Sequence, residues 1–393
     1  MSVQLKRVSE QVMVITGASS GIGLVTAKMA AGRGASVVLA ARNERDLARA
    51  VDAIRAEGGR AAYVVCDVSD RAQVQRVAER AVAEFGRIDT WVNNAAVSMY
   101  GRLQDVPVAD MRRQFDVNYW GTVYGALAAV PHLKKQGGAL INVASALADR
   151  AIPLQGNYCA AKHAMKAFTD SLRMELEEEG ASISVTLLKP GSIDTPFFEK
   201  ARVYIDREPQ PVPPVYSPEL CARAILECAE RPVRDLLVSG MAKVISLAGT
   251  VAPRLTDYYM ERTTTESQMT EVPVAPGRRD NLYEPVADDG GERGRYAGRV
   301  SNHSLYTHTA LHPREALLAA SAIGLALAAG WRASRRTSVS AGTGPAEPRT
   351  GDRLPAGDRP SHPERAGSTV PASPRAGQTS AAAAIDVAPE ARR

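Results

Sequence analysis

The stretch Thr16-Gly17-Ala18-Ser19-Ser20-Gly21-Ile22-Gly23 limits what this chain can fold into more than any other. It follows directly on a β-branched run over residues 12–16 and opens into an amphipathic segment, so the backbone turns sharply from a strand into a helix. Such a turn needs a residue free of Cβ constraints, and the N–H groups at the positive end of a helix are a seat for a pyrophosphate. Gly17 suits the turn. Gly21 and Gly23 permit close approach of backbone to ligand and of helix to strand, and Ser19, Ser20 and Ile22 complete the cradle.

The same alternation continues through the first 240 residues. Short β-branched runs at 12–16, 36–40, 61–66, 88–92, 139–143, 182–188 and 235–238 alternate with amphipathic stretches that have polar starts, such as Ser69-Asp70, and glycines near their ends, such as Gly34 and Gly180. Strands separated by helices predict right-handed βαβ units and a buried parallel sheet, an α/β fold in one domain over residues 1–240. Between Ile193 and Pro218 the pattern breaks at Phe197, Phe198, Tyr204 and the prolines Pro209, Pro211, Pro213 and Pro214, which reads as a loop or lid over a site.

Residues 241–315 read as a helical and polar extension, with one helix over 241–259 and a stretch rich in Gly, Pro and charge over 271–302. The uncharged run 316–331 is shorter than the roughly 20 residues a membrane-spanning helix needs. Bounded by Trp331 and Arg332, it reads either as a marginal membrane or interfacial helix or as a helix that docks on the protein itself or on a second subunit. Residues 332–393 are Ala, Pro, Arg, Ser and Gly with almost no large apolar side chain, too little to offset ordering entropy, and are expected to be disordered.

The net charge is +5, and from Ala333 onward nine Arg stand against six Asp plus Glu, so the tail supplies most of the excess. With no basic patch interleaved with aromatics, no nucleic-acid partner is expected. Cys66, Cys159, Cys221 and Cys228 form no CxxC pair, which points away from a zinc site or disulfide framework and toward a reducing, cytoplasmic setting. The opening MSVQLKRVSE carries no apolar stretch behind its basic residues, so no secretory signal is expected there.

Where dinucleotide folds that take NAD usually place an Asp or Glu, about 20 residues beyond the glycines, this chain reads Ala40-Ala41-Arg42. A carboxylate repels a 2′-phosphate, whereas a guanidinium grips one bidentately, so Arg42 is the expected anchor for NADP(H). Tyr158 and Lys162, four apart at the start of a predicted helix, share one face. Lowering a phenol from its usual pKa near 10 to about 7 takes roughly 4 kcal/mol, and a neighbouring ammonium and an oxidised nicotinamide both push that way. Ser145 ends the fifth strand, where the carboxyl edge of a parallel sheet faces the crevice and a hydroxyl can donate to a substrate carbonyl. Asn118, in the preceding helix, can hold a relay water on its backbone.

In order, TGASSGIG, Asp67, Asn93-Asn94-Ala95-Ala96, Asn118, Ser145, Tyr158, Lys162 and Pro190-Gly191 resemble the short-chain dehydrogenase/reductase family over about residues 8–240. The resemblance implies a Rossmann-type doubly wound parallel sheet of seven strands and a tetrad in which Ser145 polarises a carbonyl, Tyr158 donates a proton, Lys162 binds the nicotinamide ribose and Asn118 positions the relay water. It also implies that Asp67 and Val68 meet the adenine, that Asn94 and Ala95 line the cofactor, and that Pro190, Gly191, Ile193 and Thr195 wrap the nicotinamide end. A dimer or tetramer follows from the same resemblance. The expected reaction is reversible hydride transfer between NADP(H) and a carbonyl or secondary alcohol of a lipophilic small molecule, with Ser98, Met99, Tyr100, Leu147, Ile152, Pro153, Phe197 and Phe198 as pocket residues. Alternatives are an NAD-linked alcohol dehydrogenase of this fold, or a cofactor-binding scaffold or sensor that docks through its extension. Cys159, one residue on from Tyr158, points about 100° away on a helix, and His303, His308 and His312 lack ligand spacing, so no metal site is expected.

Overall fold

A computed structural model describes residues 3–287 and 290–340 of the chain. Seven strands form its main sheet: β1 (Val12–Thr16), β2 (Ser36–Ala41), β3 (Arg60–Val65), β4 (Thr90–Asn93), β5 (Gly138–Val143), β6 (Ile183–Pro190) and β7 (Asp235–Val238). They lie in the order β7-β6-β5-β4-β1-β2-β3, and every neighbouring pair is parallel. The order reverses at β1, so the crevice between the carboxyl ends of β1 and β4 is the switch point where this architecture places ligands.

Both faces of the sheet are covered, which is why the strands read as apolar runs rather than as alternating ones. Met13 and Ile15 of β1 pack into one core with Leu24 and Ala27 of α1 (Gly21–Gly32), Leu47 and Val51 of α2 (Glu44–Ala56) and Ile225 from a later helix. Val14, pointing the other way, joins Val74 and Val77 of α3 (Arg71–Phe85) in a second core. Asp70 starts α3 by accepting from the N–H groups of Ala72 and Gln73, and Gly86 ends it in the left-handed conformation. The remaining helices are α4 (Val108–Phe115), α5 (Gly121–Gln136), α6 (Gly156–Glu178), α7 (Pro218–Glu230), α8 (Gly240–Val251), α9 (Pro253–Ser267), α10 (Leu305–Leu311) and α11 (Pro313–Ser340). A π-helical turn, Asp116–Trp120, separates α4 from α5.

Three expectations change. The single helix foreseen over 241–259 is two, because Pro253 has no N–H and its ring drives Ala252 out of the helical region, to φ −134° and ψ 65°. The compact unit does not stop at 240 but runs over Met1–Leu327. The foreseen loop at 193–218 and the polar stretch after α9 are stitched together: Arg207–Pro209 pairs antiparallel with Met269–Pro273, and Val215–Tyr216 lies between Ser192–Ile193 and Val300–Ser301. Third, α11 carries through to Ser340, past the boundary set at Arg332, and the tail from 341 to 393 lies outside the described residues. A second unit, Ala328–Arg393, is helical where it is described. Among the described residues no helix is long and apolar enough to cross a membrane. On α11, Leu317, Leu318, Leu325, Leu327 and Trp331 are exposed.

Candidate active site

A cavity of about 1030 Å³ opens at the switch point. Its walls include Gly17, Ser19, Ser20, Gly21 and Ile22 of the glycine turn, Arg42 beyond β2, Asp67 and Val68 beyond β3, Asn94 and Ala95 beyond β4, Ser145 beyond β5, Tyr158 and Lys162 of α6, and Pro190, Gly191, Ile193 and Thr195 beyond β6. Of the residues expected at the site, Gly23 and Asn118 are not on its surface. Gly23 acts one layer behind: a Cβ there would stand 2.3 Å from the Gly17 carbonyl oxygen and 2.7 Å from Asn94 Nδ2, so only glycine lets α1 start this close to β1. Gly17 itself has φ +66°. Asn94 Nδ2 donates to Thr16 O (2.9 Å), and Thr16 Oγ1 accepts from the N–H of Asn94 (3.0 Å) and of Ala95 (3.1 Å), tying the end of β4 to the turn.

Tyr158 and Lys162 are both buried, with Lys162 Nζ 5.6 Å from the Tyr158 ring centroid. The Tyr158 hydroxyl is hydrogen-bonded to Ser145, whose Oγ also accepts from Leu147 N (3.1 Å). Burial raises the Tyr158 phenol, and the Ser145 bond offsets part of that rise. Phe197 meets the phenol ring edge-on at 5.9 Å between centroids. Asn118 is buried in the π-helical turn; its Nδ2 donates to Val97 O (3.0 Å) and its Oδ1 accepts from Val97 N (2.9 Å), so its side chain fixes the segment after β4.

Burial pushes the Lys162 ammonium down to about 7, and Nζ donates to Val143 O (2.9 Å). The folded value thus lies below the unfolded one of about 10.4. Between the two the unfolded chain holds the extra proton, so stability rises with pH across that window and is lost as pH falls toward the folded value. Lys162→Met is expected to flatten the rise of melting temperature between about pH 7 and pH 10; melting curves with the wild-type slope would show that Lys162 titrates normally.

At the other end of the cavity stand cations that sequence reasoning missed. Lys200 Nζ donates to Ser20 Oγ (2.8 Å) at the start of α1. Arg113 pairs with Asp67 (2.5 Å) and donates to Ser69 Oγ (2.5 Å). Burial by itself raises the Asp67 carboxyl, but the bonds from Arg113 and Ser69 outweigh it and hold the group below the usual carboxylate range. Arg42 lines the cavity while its Nη1 and Nη2 donate to the carbonyls of Tyr283 (2.8 Å) and Asn281 (2.5 Å). Nothing local in the sequence signals these partners, which lie far apart along the chain.

The substrate end is built differently from expectation. Leu147, Ile152, Phe197 and Phe198 line the cavity as foreseen, whereas Ser98, Met99, Tyr100 and Pro153 do not. The pairing of Met99–Tyr100 with Arg202–Val203 draws that segment into the body, where Tyr100 is fully buried and its hydroxyl accepts from Gln155 Nε2 (3.0 Å). Their place is taken by α8 and α9, through Met241, Val244, Ile245, Ala248, Leu255, Tyr258, Tyr259 and Met260, with Arg150 and Arg262 as the charged lining. Burial raises the Cys159 thiol to about 11, which leaves it unreactive near neutral pH.

The chain matches the family model described as short chain dehydrogenase over residues 11–204. An uncharacterized oxidoreductase, YxnA of Bacillus subtilis (strain 168), is 46% identical over 341 residues, which cover 85% of this chain and 93% of the relative. The 11-beta-hydroxysteroid dehydrogenase A of Sesamum indicum is 35% identical over 238 residues, 58% of this chain and 68% of that one. Among solved structures, a short chain dehydrogenase/reductase from Burkholderia phymatum in complex with NAD superposes with a TM-score of 0.57 at 29% identity, covering 62% of this chain and 94% of its own. An alcohol dehydrogenase from the archaeon Thermococcus sibiricus complexed with 5-hydroxy-NADP gives 0.52 at 26% identity, over 58% and 95%. The chain belongs to the short-chain dehydrogenase/reductase family, as its motifs implied. It is an oxidoreductase of a family that uses nicotinamide cofactors and acts on small molecules.

Proposed function

We propose that this chain interconverts a carbonyl and a secondary alcohol on a lipophilic small molecule with NADP(H) as its cofactor, Tyr158 being the proton donor and acceptor. The observation that carries the reading is the buried Tyr158, bonded to Ser145 and flanked by Lys162, inside a cavity whose far wall is the apolar side of α8 and α9. The cradle fits the dinucleotide: a helix start with close-packed glycines and the Lys200 ammonium beside Ser20 suits a pyrophosphate. Bound there, the cofactor supplies or takes up a hydride at C4 of its nicotinamide ring. Ser145 donates to the substrate oxygen and holds it against Tyr158, which stays protonated near neutral pH because burial raises its phenol. As the oxygen gains charge Tyr158 gives up its proton, and the Lys162 ammonium stabilises the phenolate left behind. Asn118 offers the carbonyl of its π-helical turn to a relay water that restores the proton. A relative from Sesamum indicum is named for a hydroxysteroid, in keeping with a lipophilic substrate.

For NADP(H) over NAD(H) the support is the Arg42 guanidinium at the end of β2, where no carboxylate stands. Fluorescence titration of the purified full chain is expected to give tighter binding of NADPH than NADH, and Arg42→Ala to weaken NADPH by about tenfold or more, the size of one lost charge-assisted pair, with NADH little changed. Equal binding of the two nucleotides, untouched by Arg42→Ala, would return the site to an NAD-linked alcohol dehydrogenase.

A further inference from the structure

The polar stretch after α9 lies along the dinucleotide end of the cavity, and the chemistry above makes no use of it. Leu282 is fully buried in the core, and its carbonyl accepts from Arg113 Nε (3.0 Å). On either side, the carbonyls of Asn281 and Tyr283 accept from Arg42, the N–H of Asn281 donates to Lys200 O (2.9 Å), and the Tyr283 hydroxyl donates to Asp110 (2.8 Å). Asn43 Nδ2 donates to Val286 O (3.0 Å), and further along the chain Gly21 N donates to Gly291 O (3.0 Å). The segment is thus a wall held from Asp67 across to the glycine turn.

Arg42 stands at the carboxyl end of β2, where this architecture seats the adenosine ribose. The residue whose carbonyl it holds therefore stands there too. Asn281 lines the cavity, and its Oδ1 is buried with no hydrogen-bond partner in the protein. A buried acceptor left unpaired is costly, and because Asn281 stands in the cavity wall, turning its amide toward a bound ligand satisfies it.

Resting on the reading that this cavity binds a dinucleotide, we infer that Asn281 is a recognition residue of that site. Its side-chain amide hydrogen-bonds the 2′ and 3′ substituents of the adenosine ribose, and the grip of Arg42 on its carbonyl fixes it there. An amide both accepts from a hydroxyl and donates to a phosphate, so it works beside Arg42 without repelling either nucleotide.

The test is titration of the full-length wild type, Asn281→Asp and Asn281→Ala with NADPH and with NADH, together with melting curves without nucleotide. A carboxylate at 281 is expected to raise the Kd for NADPH by about tenfold or more, through like-charge repulsion of the 2′-phosphate, while NADH binds as well as before or more tightly. Asn281→Ala is expected to weaken both nucleotides. Neither variant is expected to lower the melting temperature. An unchanged ratio of NADPH to NADH affinity in Asn281→Asp, with the wild type binding normally, removes Asn281 from the site and leaves the dinucleotide reading standing. A lowered melting temperature would assign the amide a structural partner and overturn the inference. A wild type that binds neither nucleotide would overturn the dinucleotide reading and this inference with it.

Discussion

Tyr158→Phe is expected to lower kcat by about 10²–10⁴-fold, the usual contribution of a positioned general acid, and to leave NADPH binding within about twofold, since the ring and the Lys162 ammonium beside it stay in place. At about 1.4 kcal/mol for each tenfold, that is roughly 3–6 kcal/mol of transition-state stabilisation carried by one oxygen. The substitution keeps the ring and hence its edge contact with Phe197. Loss of the hydroxyl removes the bond to Ser145 and the proton that the substrate oxygen receives. Steady-state rates beside fluorescence titration separate the two effects. A variant with wild-type kcat would move the proton donor elsewhere, and one that cannot bind NADPH would make Tyr158 a binding residue instead.

Gly23→Ala is expected to cost nearly as much, by a different route. The added Cβ meets the Gly17 carbonyl at 2.3 Å and Asn94 Nδ2 at 2.7 Å, and the first of these is backbone that cannot swing aside. Relief requires α1 to move off the turn, and overpacking of this kind costs about 1–3 kcal/mol. A shift of about 1 Å in the N–H groups that face the pyrophosphate can cost about 10²-fold in a positioned site. We expect NADPH and NADH to weaken together by about that factor, and the melting temperature to fall by several degrees, at roughly 2–4 °C per kcal/mol for a body of this size. Nucleotide binding and a melting temperature both equal to wild type would contradict the role assigned to the glycine turn.

The parts of this fold that were legible in the sequence are those whose cause is local. Parallel strands buried on both faces read as β-branched runs, so the seven strands were placed to within a residue or two. The glycine turn, Ser145, Tyr158 and Lys162 announce themselves by residue type at fixed spacing. Pro253 was a legible signal as well: the bar it sets on a helical Ala252 follows from sequence, and the single helix foreseen there ignored it. The segment around Asn281 was not legible, because its ties run largely through backbone carbonyls that any residue supplies. Only the fold brings Arg42 within reach of residues 281–283. Lys200 and Arg113 were missed for a related reason, since each acts on a partner from a distant part of the chain. Tyr100 was misread because an aromatic residue after a strand end looks like a pocket wall until its pairing with Arg202–Val203 turns it inward.

This chain is expected to pass a hydride from a nicotinamide to a carbonyl carbon. The most direct measurement is to incubate the full-length protein with NADPH deuterated at C4, using each of the two stereoisomers in turn, and a panel of lipophilic ketones, and to follow the alcohol products by mass spectrometry. Deuterium on the carbinol carbon from one stereoisomer only, absent with Tyr158→Phe, is the expected result. Alcohol formed without deuterium from either stereoisomer, or no alcohol from any ketone while NADPH is demonstrably bound, would contradict it.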